Sequence, residues 1–301
     1  MIDLKKISGA NIVTHGDGDG TIAAAVVKKS GADGRVTVTQ PFLLHKLPDL
    51  SGPTVILDIA VDTRSPEATV EWARRNAEHI VAWVDHHAGG EALVEVLGDK
   101  FIYDPEAPSC PALMAEHGFS VPAEWLDAAN ACDRPTEFSA TPLSERYNAA
   151  FKVALVEFQA GDRSIVAKIQ QAFIAELVDG EEQSELVSEY ASRYPALDRA
   201  TNEVVDNITE LVPGVGVVEV PEGQASVDVT QVMMRGYKKF PVVVILTTSA
   251  EDGRSLALIG TAHKPDTLNL VELFGLGSGN PSRVVLTGTK IFTVSEVLRN
   301  R

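Results

Sequence analysis

The sequence predicts an α/β protein with an N-terminal doubly wound, mainly parallel sheet, a helical connector and a smaller mixed α/β C-terminal domain. Three observations predict it. Short β-branched runs alternate with helix-like segments over the first half of the chain. Residues 145–210 lose their strand formers and turn helical, and strand-like runs return from Val215 onward. At 301 residues the chain exceeds the usual size of one domain, so 1–145, 146–210 and 211–301 are the expected divisions.

The first element organises the others. Asn11-Ile12-Val13 is an apolar, strand-like run, Thr14-His15-Gly16-Asp17-Gly18-Asp19-Gly20 a glycine-rich turn, and Thr21 to Val27 an alanine-rich helix. Glycine at 16, 18 and 20 lets the backbone turn closely enough for His15, Asp17 and Asp19 to converge as potential metal ligands. A second reading of the same residues makes Asp17 or Asp19 the N-cap of the helix and His15 incidental. Two familiar loops are excluded. A phosphate-cradling P-loop needs Lys and then Ser or Thr after its last glycine, whereas Gly20 is followed by Thr21-Ile22. An EF-hand needs a glycine where, counting from Asp17, the chain has Ile22.

The same pattern recurs downstream. Val36 to Gln40 alternates as a short strand stopped by Pro41, and Val55-Ile56-Leu57 runs into Asp58. Ser65-Pro66-Glu67 opens a helix with serine at the N-cap, Pro at N1 and an early acid. Ile80 to Val84 then runs into Asp85-His86-His87. Three strands thus end in acids or histidines, and as parallel neighbours they would bring those ends to one sheet edge, where open α/β folds place their sites. Gly89-Gly90 precedes a helix, Phe101-Ile102-Tyr103 reads as a strand, and Ser109-Cys110-Pro111 opens another helix with Ser109 as its N-cap. In the connector, Glu181, Glu182, Glu185 and Glu189 predict a solvated acidic face. Beyond it come strands at 215–220, 242–246 and 255–260 and helices at 226–237 and 268–274.

Composition narrows the function classes. Lys plus Arg total 26 against 42 Asp plus Glu, a net charge of −16, which argues against a sequence-blind grip on long duplex nucleic acid. The longest apolar runs, such as Phe240 to Leu246, are far short of a bilayer span, and the N-terminus lacks a signal-peptide core, so a cytoplasmic protein with no membrane partner is expected. Cys110 and Cys132 make no disulfide framework and read as packing residues.

His15-x-Asp17-x-Asp19-Gly20, then Asp58, then Asp85-His86-His87 resembles the DHH phosphoesterase family, which includes RecJ-type exonucleases and nanoRNase-like enzymes. The family's fourth motif, an aspartate inside a helix, corresponds to Asp133 in Ala128 to Arg134, with Asp127 as a competitor. The resemblance implies two divalent cations, Mn²⁺ by preference or Mg²⁺. His15, Asp17 and Asp58 would hold one and Asp19, Asp58, His86 and Asp133 the other, with Asp58 bridging. Carboxylates with a few imidazoles and no thiolate suit these ions. Asp85 would orient a neighbouring histidine and His87 would face the phosphate as a donor or general acid, the two forming the catalytic pair. Ser109 gains a second reading, as a substrate contact.

At the C-terminal end the resemblance is to a degenerate DHH-associated domain. The family's glycine run followed by histidine corresponds to Gly275 to Val285, with Asn280 where the family has histidine and Arg283 where it has a small residue. Gly277, Ser278, Gly279, Asn280 and Arg283 are the implied substrate-binding residues, and Arg283 also reads as one partner of a surface salt bridge. His263 is either a replacement imidazole or an ordinary surface residue. The implied activity is a two-metal phosphodiesterase or exonuclease hydrolysing short or single-stranded nucleotide substrates. A phosphomonoesterase, pyrophosphatase or exopolyphosphatase could use the same site. A non-catalytic nucleotide-binding protein would have lost ligands, whereas every motif position here is filled.

Overall fold

A computed structural model describes residues 7–63, 65–162, 164–180, 183–220, 227–248, 253–264, 267–276, 282–287 and 294–299. The first half runs β1 (Asn11–His15), α1 (Gly18–Lys29), β2 (Val36–Thr39), α2 (Pro41–Leu44), β3 (Thr54–Leu57), α3 (Pro66–Asn76), β4 (Ile80–Asp85), α4 (Glu91–Leu97), β5 (Phe101–Tyr103), α5 (Cys110–Glu116) and α6 (Ala123–Asp133). Its five strands form one parallel sheet in the order β2-β1-β3-β4-β5. The three strands whose ends carry acids or histidines, β1, β3 and β4, are therefore contiguous, with β3 in the middle. Helices α3 and α4 cover one face, where Trp72, Leu93 and Leu97 pack with Val13, Ile56 and Trp83 from the strands. On the other face α1 packs against β1, and α5 against β4. The doubly wound expectation is met.

One boundary differs from the sequence reading. Helix α1 begins at Gly18, so the glycine turn is only Gly16-Asp17 long and Asp19 sits in the first helical turn. The reason is a cap: Asp17 is extended, and its carboxylate accepts the Gly20 amide at 3.4 Å. Gly18 lets Cys132 pack against the start of the helix; a Cβ there would lie 2.5 Å from the Cys132 sulfur.

Three helices follow, α7 (Pro142–Gln159), α8 (Ile165–Asp179) and α9 (Glu185–Asp206). Tyr147 and Phe173 pack with ring centroids 4.6 Å apart, and Arg146 pairs bidentately with Glu176 at 2.6 and 2.7 Å. Glu185 and Glu189 are exposed, and Glu181 and Glu182 lie outside the described residues. The chain then forms β6 (Thr209–Val212), β7 (Val215–Glu219), α10 (Val229–Gly236), β8 (Val242–Thr248), β9 (Ser255–Thr261), α11 (Leu270–Leu273), β10 (Arg283–Thr287) and α12 (Val294–Arg299). These strands make a second, mixed sheet in the order β10-β9-β8-β7-β6, antiparallel except for β7 with β8. Alternate residues of β8 enter different cores: Val242 and Val244 pack with Leu270 and Leu298, and Val243 and Ile245 with Val232 and Met233.

The sequence reading missed β6, β10 and α12, and placed the starts of α10 and α11 too early. Strand β6 has only four residues, two of them exposed, so it shows no apolar run. The chain resolves into two compact units, 1–151 with 166–192 and 152–165 with 193–301, and residues of α7, α8 and α9 fall in both.

Candidate metal centre

The carboxyl ends of β1, β3 and β4 deliver the first polar groups. His15 closes β1, Asp58 follows the last residue of β3, and Asp85 closes β4 with His86 and His87 behind it. Asp17 and Asp19 come from the cap and first turn of α1, and Asp133 from the last residue of α6. Three groups of possible ligand atoms result, each with its atoms within 4.8 Å of one another: His15, Asp17 and Asp58; Asp58, His86 and His87; Asp19, His86 and Asp133. Asp133, not its competitor Asp127, is the aspartate of α6 in these groups.

Asp58 is common to the first two groups. It is wholly buried, and it is the one non-glycine residue with positive φ, +57°, among those described. Such a conformation costs free energy and clusters at functional sites. Its two oxygens face different imidazoles: one lies 3.5 Å from His15 Nδ1, the other 3.3 Å from His86 Nε2. No well-formed hydrogen bond reaches either oxygen, His86 Nε2 or the second oxygen of Asp85. Buried polar atoms are seldom left so. Gly20 makes the approach possible, since a Cβ there would stand 2.8 Å from an Asp58 oxygen and 2.9 Å from the His15 carbonyl.

Each imidazole is held from behind. His86 Nδ1 bonds the Ala107 carbonyl at 3.1 Å, which turns Nε2 toward Asp19 at 3.4 Å, Asp58 at 3.3 Å and Asp133 at 4.0 Å. His87 Nδ1 bonds Asp85 at 2.7 Å, the orienting contact expected of Asp85. His15 Nε2 meets Gln40 Oε1 at 3.0 Å while its Nδ1 lies 2.7 Å from Asp17. Asp19 accepts the Cys110 amide at 3.1 Å, at the start of α5.

Charge explains the rest. Burial opposes a proton on His15, but Asp17 and then Asp58 outweigh it and push its pKa up to about 12. Burial likewise opposes His86 and His87, whose carboxylate neighbours raise them to about 11 and about 9. Asp17 pays desolvation yet is held below the usual carboxylate range by His15. Asp58 is pushed well above that range, by burial first and by the charges of Asp19 and Asp17 next. Burial and Asp19 also raise Asp133. Among the described residues no lysine or arginine pairs with Asp17, Asp19, Asp58 or Asp85. Unpartnered buried carboxylate oxygens beside imidazole nitrogens are the donor set of a hard divalent cation, and the residues present fit one.

The remaining predicted residues fall elsewhere. Ser109 is buried, caps α5 by accepting the Ala112 amide at 3.3 Å, and donates to Asn130 at 2.6 Å, so the capping reading holds. Both cysteine thiols are free and held protonated by burial, as packing residues are. Gly277, Ser278, Gly279 and Asn280 lie outside the described residues. Arg283 opens β10 in the second unit, its guanidinium against the Tyr237 hydroxyl. His263 lines a 360 Å³ cavity of that unit with Val212, Leu268 and Arg299. Sequence reasoning missed Gln40, the Ala107 carbonyl and the Cys110 amide. The latter two are main-chain groups with no signature of their own, and Gln40 is a neutral polar residue at a strand end, which stands out less than the acids and histidines at the others.

The chain joins a parallel sheet to a carboxylate and imidazole cluster at its carboxyl edge, and known structures share the fold. No protein-family model matches the chain, and no curated protein matches it in sequence. Among solved structures, the pGpG-specific phosphodiesterase PggH from Vibrio cholerae superposes with a TM-score of 0.68 at 16% identity, covering 97% of this chain and 98% of that one. An exonuclease RecJ bound to manganese gives 0.60 at 13% identity over 98% and 91% of the two chains. An exopolyphosphatase-related protein from Bacteroides fragilis gives 0.52 at 14% identity over 98% and 94%. The fold is the one that the DHH resemblance implies.

The Asp58 carboxylate yields a prediction for metal-free protein. Its surroundings disfavour its charge, and Asn accepts positive φ as readily as Asp. In chelator at neutral pH, Asp58→Asn is therefore expected to denature at a higher midpoint than wild type. The gain should shrink as pH falls through the raised pKa of Asp58, where the wild-type carboxyl takes up its proton. Denaturant titrations across pH check this, and a less stable variant at neutral pH contradicts it.

Proposed function

We propose that this chain is a divalent-metal-dependent phosphoesterase that holds two ions with Asp58 between them and hydrolyses a short or single-stranded nucleotide substrate. The observation that carries the reading is the buried Asp58 carboxylate, whose oxygens face separate ligand groups and have no well-formed hydrogen bond of their own. His15, Asp17 and Asp58 would hold one ion, and Asp19, Asp58, His86 and Asp133 the other. Mn²⁺ is the expected species and Mg²⁺ the alternative; the manganese-bound exonuclease among the fold neighbours supports the first. Such ions supply Lewis acidity, lowering the pKa of water and offsetting charge on phosphoryl oxygens.

The chain's own groups position and move protons. Asp85 takes the Nδ1 hydrogen bond of His87, leaving the other ring nitrogen of this half-exposed side chain to donate to a phosphate or leaving oxygen. Residues 1–145 carry the metals, 211–301 hold the substrate through Gly277 to Asn280 and Arg283, and 146–210 connect them. The net charge of −16 favours short substrates over long duplexes. A phosphodiesterase and an exonuclease among the neighbours support a phosphodiester as the bond cut. The exopolyphosphatase-related neighbour favours, as second reading, a phosphomonoesterase, pyrophosphatase or exopolyphosphatase. All six ligand positions are filled, which speaks against a purely nucleotide-binding role. No helix among the described residues is long and apolar enough to cross a membrane, and the proposed location is the cytoplasm.

The test is turnover with Mn²⁺ supplied, over dinucleotides, longer RNA and DNA oligomers, cyclic dinucleotides, a nucleoside bisphosphate, pyrophosphate and polyphosphate. Hydrolysis of dinucleotides and short oligomers, lost in Asp58→Asn, is expected. Turnover of pyrophosphate or polyphosphate alone would establish the second reading, and none at all would contradict both.

Metal uptake should also release protons. Metal-free His15 and His86, with pKa values of about 12 and about 11, carry protons at neutral pH that ligation must displace. Mn²⁺ affinity is therefore expected to rise with pH, and calorimetry in buffers of different ionisation enthalpy should show proton release. A pH-independent affinity contradicts the two imidazole ligands.

Arg283 offers a planar fork suited to phosphate. Arg283→Ala is expected to raise KM about tenfold or more with kcat and Mn²⁺ affinity unchanged, the mark of lost binding energy. An unchanged KM would reduce Arg283 to its contact with Tyr237.

A further inference from the structure

We infer that Gln40 is a positioning residue that decides which nitrogen of His15 faces the metal, an inference that rests on the two-ion reading and deepens it. A ligating imidazole offers one nitrogen to the ion and needs an acceptor for the N–H on the other. At His86 that acceptor is the Ala107 carbonyl, and Asp85 orients the ring of His87, which is no ligand, in the same way. At His15 the group in the same position is Gln40 Oε1, 3.0 Å from Nε2. With the hydrogen on Nε2, the lone pair of Nδ1 points to Asp17 at 2.7 Å and to Asp58 at 3.5 Å.

The fold puts Gln40 there for a reason. β2 is the edge neighbour of β1, with Thr39 opposite His15, so Gln40 is the residue that follows the end of a fourth parallel strand at the same sheet edge. An amide, unlike a carbonyl or carboxylate, can turn end for end. Turned, it would donate to Nε2 and force the hydrogen onto Nδ1, facing the carboxylates. Gly16 leaves room for both amides: a Cβ there would lie 3.2 Å from Gln40 Nε2 and 3.0 Å from the amide nitrogen of Gln170 on α8. Gln170 is wholly buried beside the Tyr147 hydroxyl. The two amides thus flank the glycine beside His15, one of them holding the ring.

Two variants and one spectrum test this. In Mg²⁺-loaded wild type, the ring ¹⁵N shifts of His15 should show hydrogen on Nε2 and none on Nδ1; hydrogen on Nδ1 overturns the inference without any variant. Gln40→Glu keeps an acceptor at either end, and should retain that pattern and bind Mn²⁺ at least as tightly as wild type. Gln40→Met keeps the length and removes the acceptor; it should mix the two ring forms and weaken Mn²⁺ binding at the His15 site by about 10–100-fold. Wild-type shifts and affinity in Gln40→Met overturn the inference. Equal loss in Gln40→Glu and Gln40→Met assigns Gln40 a space-filling role and overturns it too. Wild type that binds no Mn²⁺ by calorimetry overturns the two-ion reading itself, a result distinct from either.

Discussion

One carboxylate sets the terms for the rest of the first unit. Asp58 is buried at the end of the middle strand with both oxygens free of well-formed hydrogen bonds and its backbone at φ +57°, between an imidazole from β1 and another from the loop after β4. A buried carboxylate with no lysine or arginine beside it and other carboxylates close by is costly, and a positive φ adds to the cost. The protein retains both, and builds around them. Gly20 withholds a Cβ that would strike Asp58, and Val84 accepts its amide at 2.8 Å. The arrangement is poor for a metal-free fold and suited to a divalent cation.

The outer contacts follow one rule. His15 and His86 each have one nitrogen fixed by an oxygen outside the ligand groups, so the other is aimed at the carboxylates before any ion arrives, and Asp85 fixes one nitrogen of His87 in the same way. Asp19 is similarly held by the Cys110 amide, and α5 is itself capped by Ser109, which Asn130 supports. The groups that orient the site come from β2, β4, α5, α6 and the Ala107 turn, so the precision of the cluster depends on the packing of the whole sheet and its helices.

Much of this was legible in the sequence. Three apolar runs ending in His15, Asp58 and Asp85 predicted both the parallel sheet and the edge at which its polar ends meet, because period and composition are local properties of a strand. The two readings of the glycine turn were not exclusive: Asp17 caps α1 and also lies against His15. What stayed hidden was positional. Gln40 is neutral and carries no imidazole to mark it, a main-chain carbonyl like that of Ala107 belongs to every residue alike, and β6 is too short and too exposed to show a pattern. The substrate side rested on Gly277 to Asn280, whose positions lie outside the described residues, so Arg283 alone carries that part of the sequence reading into the structure.

The central claim is that Asp58 joins two ions, and diffraction at the manganese absorption edge tests it most directly. In crystals grown with Mn²⁺, the account predicts two anomalous peaks that both contact Asp58, one shared with His15 and Asp17, the other with Asp19, His86 and Asp133. A single peak, or two of which only one touches Asp58, would contradict it.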